Sequence, residues 1–323
     1  MIPHFPPSWS FGRGVDGQNS TEVSFVLLGL SQYPRAQTAF FCLLLLSYTI
    51  TLLGNGLILL LICSDRRLHT PMYFFLSNLS FLDVGYTTAS VPQVLVNCLV
   101  SVPVISLGRC LAQMVVGLYL GVVECLLLAA MAYDRCVAIV DPLRYPVRMG
   151  PQVCLGLAMT SWLGGLLVSV VKTSCIASLS YCGPNILNHF FCDVSPLLNL
   201  SCTHMALTEL VDFISAIVIL WGSLLVAIAS YVAIGRAVFR MSSATARHKA
   251  FSTCASHLVV VGIFYAATLF IYARPSRIEA MDLNKVLSVI YTVVTPTCNP
   301  VIYCLRNREV QASFRRTLYW SRG

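Results

Sequence analysis

A bundle of membrane-spanning helices is the fold class this sequence predicts, and three observations carry it. Hydrophobic residues make up 57% of the 323 positions and charged residues only 11%, against roughly a quarter charged in soluble domains. Mean hydropathy is +0.77. The apolar residues gather into seven runs, at about 37–63, 71–98, 106–140, 151–174, 206–239, 247–273 and 283–304, each long enough to cross the roughly 30 Å of bilayer hydrocarbon. The expectation is an all-α membrane protein: a seven-transmembrane helix bundle over 37–304, preceded by a tail (1–36) and followed by a short amphipathic eighth helix within 305–323.

Residues 1–20 are rich in Pro, Gly and Ser and lack an apolar centre, so the first span is expected to direct insertion itself. Seven spans put the termini on opposite sides, and basic residues choose between them. Arg66, Arg67, Arg135, Arg144, Arg148, Arg236, Arg240, Arg247, Lys249, Arg306, Arg308, Arg315, Arg316 and Arg322 fall on one side. Arg13, Arg35, Arg109, Lys172, Arg274, Arg277 and Lys285 fall on the other. The richer side is expected in the cytoplasm, with the C-terminus. The net charge of +8 then belongs to loops rather than to a nucleic-acid-binding face. Asn19-Ser20-Thr21 is an N-glycosylation acceptor in the outer tail.

Span three organises the rest. From Cys110 to Arg135 is 25 steps, or about 37 Å of helix. Met114, Gly117, Leu118, Gly121, Glu124, Cys125, Leu128, Met131 and Arg135 share one helical face. That face carries a gap of small residues, then an acid, an apolar stretch and a cation. Asp134 beside Arg135 can hold the guanidinium until a conformational change frees it.

Asp83 and Glu124 are the most deeply placed acids. An ionisable side chain at such depth costs at least about 2.5 kcal/mol and faces the bundle interior with a partner. Asn55 is the natural neighbour. The three can hold a cation such as Na⁺, share a proton, or form a hydrogen-bond cluster with no ion. In span seven, Pro296 and Pro300 flank Asn299 in TPTCNPVIY, where missing backbone donors make a hinge and Asn299 can take up a freed backbone group or reach toward the Asp83 cluster.

Most of the 14 cysteines lie within apolar runs, where a thiol behaves as a small hydrophobe. Cys110, Cys182, Cys192 and Cys202 sit at or beyond the outer face, and four cysteines allow three pairings. After Asn307, Val310, Phe314 and Leu318 share one face of a helix suited to the membrane interface. The absence of an internal repeat weakens a transporter, and the absence of HExxH or of a nucleophile with an adjacent base weakens an enzyme.

Several motifs resemble the rhodopsin-like G-protein-coupled receptors, and more narrowly the vertebrate olfactory receptors of class II. LHTPMYFFLSNLSFLD (68–83), MAYDRCVAIVDPLRY (131–145), Ser230-Tyr231, KAFSTCASH (249–257) and NPVIY (299–303) occur in the order of that family, and the likeness runs from Asn19 to about Asn307. It implies disulfides Cys110–Cys192 and Cys182–Cys202, a sodium-type site at Asp83 and Glu124, and no other cofactor. It further implies that Arg135, Tyr231, His257 and Tyr303 rearrange, with Asp134, Asn299 and Pro300, as span six swings out to admit a heterotrimeric G protein. The implied partner is the stimulatory olfactory-type α subunit, which raises cyclic AMP; the implied setting is the plasma membrane of olfactory neuron cilia.

The resemblance places an odorant pocket between spans three, five, six and seven, lined by Gly117, Leu118, Gly121, Val122, Cys125, Ser215, Ile219, Tyr265, Thr268, Leu269, Tyr272, Val289 and Thr292. With no charge among them, the pocket should suit a small, neutral, mostly apolar volatile molecule. A rhodopsin-like receptor for a lipid is the nearer alternative, and an ion-coupled transporter the more distant one. Cys136 and Val140 stand where the family usually has Tyr and Cys, which bears on coupling to the G protein rather than on the fold.

Overall fold

The structure, a computed structural model, describes residues 23–30, 34–182, 185–203, 205–272 and 281–320. Asn19 lies outside them, and so does the side chain of Tyr272. Seven long helices form the bundle: α1 Pro34–Ser64, α2 Pro71–Leu99, α3 Leu107–Val140, α4 Pro151–Ala177, α5 Ala206–Arg240, α6 Ala244–Tyr272, and α7, which joins Met281–Val289, Ile290–Val294 and Thr295–Arg306. A shorter helix, α8, follows at Arg308–Trp320.

Local chemistry sets several of these limits. Prolines open α1, α2 and α4, where the missing N–H would have had no intrahelical partner. Helix α5 is interrupted by a π-helical turn at Ala216–Trp221 and α7 by one at Ile290–Val294. The second lies just before Pro296, which cannot donate back into the preceding turn. Five helices are long and apolar enough by composition to cross a membrane, namely those containing α1, α3, α4, α5 and Lys285–Tyr303 of α7. Helices α2 and α6 have 29 residues each, about 43 Å of helix. The buried face of α2 includes Ser80, Asp83, Thr87 and Ser90 among apolar side chains such as Leu76, Leu79 and Leu82, so a helix in the interior need not be apolar all round.

Helix α3 packs against α2, α4, α5 and α6, while α1 packs against α2 and α7. Small residues allow the closest approaches, as expected where lipid supplies no hydrophobic drive between helices. A Cβ on Gly165 of α4 would lie 2.6 Å from Val123 Cγ2 and 3.1 Å from the Tyr119 carbonyl oxygen on α3. Ser169 of α4 donates to the Val115 carbonyl oxygen at 3.0 Å. Large apolar side chains such as Leu46 and Leu53 on α1, Leu167 on α4 and Leu225 on α5 are exposed, which is the surface a bilayer covers.

The Cys110 end of the bundle is roofed. Strand β1 (Ser24–Leu27) pairs antiparallel with β2 (Val104–Ser106) and parallel with β3 (Ile186–Leu187). Part of the stretch expected as a tail is therefore a strand. Disulfides join Cys110 to Cys192 and Cys182 to Cys202, with Cα separations of 5.3 and 5.8 Å. Phe25, Leu27, Ile105, Met114 and Leu187 pack around the first bridge, and the Cys192 amide donates to Gln113 Oε1 at 3.1 Å.

At the opposite end, α8 packs on α1 and α7. Among the described residues its buried side chains are Val310 and Ser313, whereas Phe314 is 40% exposed. Of the expected apolar face, Val310 meets the bundle and Phe314 is left to the membrane interface, while the side chain of Leu318 lies outside the described residues. The anchors are polar. Tyr73 of α2 donates to Glu309 Oε2 at 2.7 Å and to Asn307 Oδ1 at 3.1 Å, and Arg316 donates to Asp65 Oδ2 at 2.5 Å.

Candidate ligand pocket and helix-coupling network

Space along the half of α3 nearer the roof begins at its glycines. A Cβ added to Gly117 or Gly121 would meet no neighbouring heavy atom within 4 Å, and both residues are half-buried. Leu118 packs toward the roof cluster, and Val122 is half-buried. One turn deeper, Cys125 is buried and joins three helices. Its thiol lies 2.9 Å from Ser223 Oγ on α5, and the Tyr265 hydroxyl of α6 donates to its carbonyl oxygen at 3.4 Å. The thiol also faces the Ile219 carbonyl at 3.8 Å, within the π turn of α5.

The other expected lining residues divide. Ile219 and Leu269 pack on the main core beside Tyr265. Ser215 donates to the Asp212 carbonyl oxygen at 2.9 Å and Thr268 to that of Phe264 at 2.8 Å. With their protons directed into their own helices, these hydroxyls offer a ligand acceptor lone pairs. Val289 and Thr292 line a cleft whose other walls come from α1, α2 and the roof.

Beneath Cys125 the bundle interior is polar. Asn299 of α7 donates to both carboxylate oxygens of Asp83 on α2, at 3.1 and 3.0 Å. Asn55, expected as that partner, instead donates to the Thr51 and Pro296 carbonyl oxygens at 3.1 and 3.4 Å. Its amide is drawn to backbone acceptors beside Pro296, leaving Asp83 to Asn299. Glu124 Oε1, Asn55 Oδ1 and Asn299 Oδ1 are buried without hydrogen-bond partners. Oxygen acceptors without donors, beside two carboxylates, are the donor set a hard cation takes.

At the far end of α3, Asp134 is buried and ion-paired with the neighbouring Arg135. The Tyr145 hydroxyl donates to the other oxygen of Asp134 at 2.7 Å. Burial and this bond hold the Tyr145 hydroxyl above its ordinary pKa, so it remains a donor. Tyr231 of α5 and His257 of α6 meet at 2.5 Å with their rings stacked. Tyr303 is buried, with its hydroxyl unpartnered. Thus Asp134 and Arg135 come together, Tyr231 and His257 come together, and Asn299 joins Asp83. Pro300 lies against Gly54 of α1, where a Cβ would fall 2.7 Å from Pro300 Cβ.

Ser223, Tyr145 and the π turns escaped sequence reasoning. Ser223 is a plain serine in an apolar run, and Tyr145 lies eleven positions from its acceptor, beyond any helical spacing. Outside the spans, burial lowers the pKa of His189 in the roof, and the Arg316 hydrogen bond brings Asp65 down to about 2.

Comparison with known proteins gives three concordant results. The family model described as olfactory receptor matches residues 41–320. Olfactory receptor 6Z7 of Mus musculus is 67% identical over 313 residues, covering 96% of this chain and 99% of its own. Olfactory receptor 6A2 of Homo sapiens is 54% identical over 91% of each. Among solved structures, squid rhodopsin superposes with a TM-score of 0.67 at 15% identity, covering 89% of this chain and 87% of that one.

Proposed function

Because this chain belongs to the olfactory receptor family of rhodopsin-like G-protein-coupled receptors, a multi-pass plasma-membrane protein and not an enzyme, we propose that it binds a small neutral odorant beside Gly121 and signals through a stimulatory olfactory-type G protein. One observation supports this above the rest. The glycines bordering open space and the Asp134–Arg135 pair lie on one helix, α3, with the Cys125–Ser223–Tyr265 contacts between them.

A ligand in that space touches α3, α5 and α6 at the level where those contacts join them. Ser215 and Thr268 present acceptors, favouring a ligand with a hydroxyl over one with only a carbonyl. The remaining contact is apolar, so affinity rests on desolvation and dispersion, with modest strength for about a dozen heavy atoms. Displacing Tyr265 loosens α6 from α3, and the Tyr231–His257 contact between α5 and α6 moves with it. Release of Arg135 from Asp134 then presents a cation to the G protein.

In this reading the roofed Cys110 end is extracellular, the Arg135 end is cytoplasmic, and the protein acts in olfactory cilia. Asp83 and Glu124, with the free oxygens of Asn55 and Asn299, would hold Na⁺, which would supply positive charge between two acids. The test is nucleotide exchange on the stimulatory heterotrimer by the purified chain in lipid vesicles, across a panel of volatile alcohols and ketones. The proposal expects dose-dependent exchange with at least one alcohol. A folded, ligand-saturated receptor that exchanges nucleotide on no heterotrimer overturns it.

A further inference from the structure

An acid of the roof is tied to α7. Asp193 follows Cys192, whose disulfide to Cys110 secures this part of the roof to α3. Asp193 Oδ1 accepts from the Val194 amide at 2.7 Å. Its Oδ2 accepts from the Tyr291 hydroxyl of α7 at 3.3 Å, and Tyr291 stands in the π turn Ile290–Val294. The Tyr291 ring is half-buried and packs on the main core beside Tyr86. A second strap joins α7 to the roof, where the Lys285 ammonium donates to the Gly29 carbonyl oxygen at 3.3 Å.

The same carboxylate oxygen faces a buried histidine. His189 Nε2 lies 4.0 Å from Asp193 Oδ2, is buried, and has no hydrogen-bond partner. His189 Nδ1 lies 3.0 Å from the Phe191 carbonyl oxygen, against 3.5 Å from the Phe191 amide. The closer contact is to an acceptor, so Nδ1 carries the proton of the neutral ring and Nε2 a lone pair. A lone pair has nothing to offer a carboxylate. A proton on Nε2 reverses this, because an imidazolium donates from both nitrogens. Closing the 4.0 Å gap then takes Oδ2 from Tyr291, whose 3.3 Å contact is already longer than the roughly 2.5–3.0 Å of a strong hydroxyl bond.

We propose that Asp193 is a positioning residue that holds α7 to the roof through Tyr291, and that a proton on His189 draws its carboxylate away and releases α7. This rests on the reading that the roofed end is extracellular, where outside pH reaches it. The groups around His189 set the sense of the response. Burial and the Lys285 ammonium oppose a charge on the ring and Asp193 favours one; burial dominates and holds the histidine below its ordinary 6.5. Cys98 of α2 lines the same gap, but an ordinary thiol titrates near 8.5 and carries no charge in acid. A histidine kept neutral by burial supports the closed arrangement fully above its unfolded pKa, and that support is lost as pH falls. The roof therefore holds α7 at neutral pH and frees it below 6.5, just outward of Pro296.

The test is the distance between spin labels carried by non-natural residues at Asn199 of the roof and Val286 of α7, both exposed. It is read in the full chain in lipid nanodiscs from about pH 7.5 to about pH 5, where the acid pair of α8 is still intact. One short distance at neutral pH, joined by a longer one below pH 6.5, is the expected result. His189→Gln and Asp193→Asn keep the short distance throughout. Tyr291→Phe raises the longer population about tenfold at neutral pH, the worth of one hydrogen bond to a charged acceptor. A distance that does not respond to pH in the parent chain overturns the proposal, as does a transition that survives in folded His189→Gln. Should His189→Gln not fold, Tyr291→Phe decides, since it keeps the packed ring, and the parent's pH curve in that variant also overturns the proposal. The distance is read without odorant or G protein, so its failure is told apart from failure of the proposed signalling.

Discussion

Gly54 on α1 and Pro300 on α7 are in contact only because Gly54 has no side chain: a Cβ there would stand 2.7 Å from Pro300 Cβ and 3.0 Å from its Cγ. The approach holds Thr51 and Thr297 hydroxyls 3.0 Å apart and sets the half of α7 that carries Asn299. Overpacking such a contact costs about 1–3 kcal/mol. Gly54→Val should therefore lower the thermal stability of the detergent-solubilised chain and its surface expression. An unchanged melting curve would show that α7 can yield at Pro300.

Gly121 is the opposite case, since a Cβ there meets nothing within 4 Å. Gly121→Ala and Gly121→Leu should both fold and reach the cell surface. Gly121→Ala should shift the odorant dose-response curve, and Gly121→Leu should abolish it by filling the space. A cyclic AMP reporter checks this, and an unaltered curve for Gly121→Leu at normal expression would place the odorant elsewhere.

Tyr145 bonds the oxygen of Asp134 that Arg135 leaves free. A hydrogen bond to a charged group is worth about 1.5 kcal/mol or more, roughly tenfold in an equilibrium. Tyr145→Phe should raise ligand-independent cyclic AMP by weakening the hold on Asp134. Basal signal equal to that of the parent chain would assign Tyr145 a packing role alone.

The Asp65–Arg316 pair gives α8 a pH dependence. Asp65 is brought from 3.8 to about 2, with the Arg316 hydrogen bond the main cause. A depressed carboxylate contributes stability that is complete above its unfolded pKa and is lost as pH falls through the folded value. The docking of α8 should therefore be constant above about pH 4 and weaken between about pH 4 and 2. Arg316 is 40% exposed, so the pair is worth no more than about 1 kcal/mol. Spin labels on α8 and α1 should report the separation, and Asp65→Asn should remove the acid transition.

How much was legible follows the range of each interaction. The seven apolar runs, the polar interruption at Asp83 and Glu124, and the small-residue gap at Gly117 and Gly121 are properties of one helix and its spacing, so they can be read along the chain. Partnerships across helices could not be read so. Asn55 and Asn299 were both plausible neighbours of Asp83, and only the approach of α7, permitted by Gly54, brings Asn299 to it. The spacing of α8 put Val310 and Phe314 on one face but could not say that the docking surface lies between Val310 and Ser313.

By itself, then, the order of residues determined a bundle of seven membrane-spanning helices, because solvation in lipid and local helix geometry act residue by residue. Its motifs, by their resemblance to a known family and not by that geometry, pointed to the olfactory receptors. The tertiary structure alone decided which side chains meet: Asn299 with Asp83, Tyr145 with Asp134, Cys125 with Ser223, and a roof strand at Ser24–Leu27. These contacts depend on how the helices are rotated and how closely they pack, and small residues far apart in sequence set both.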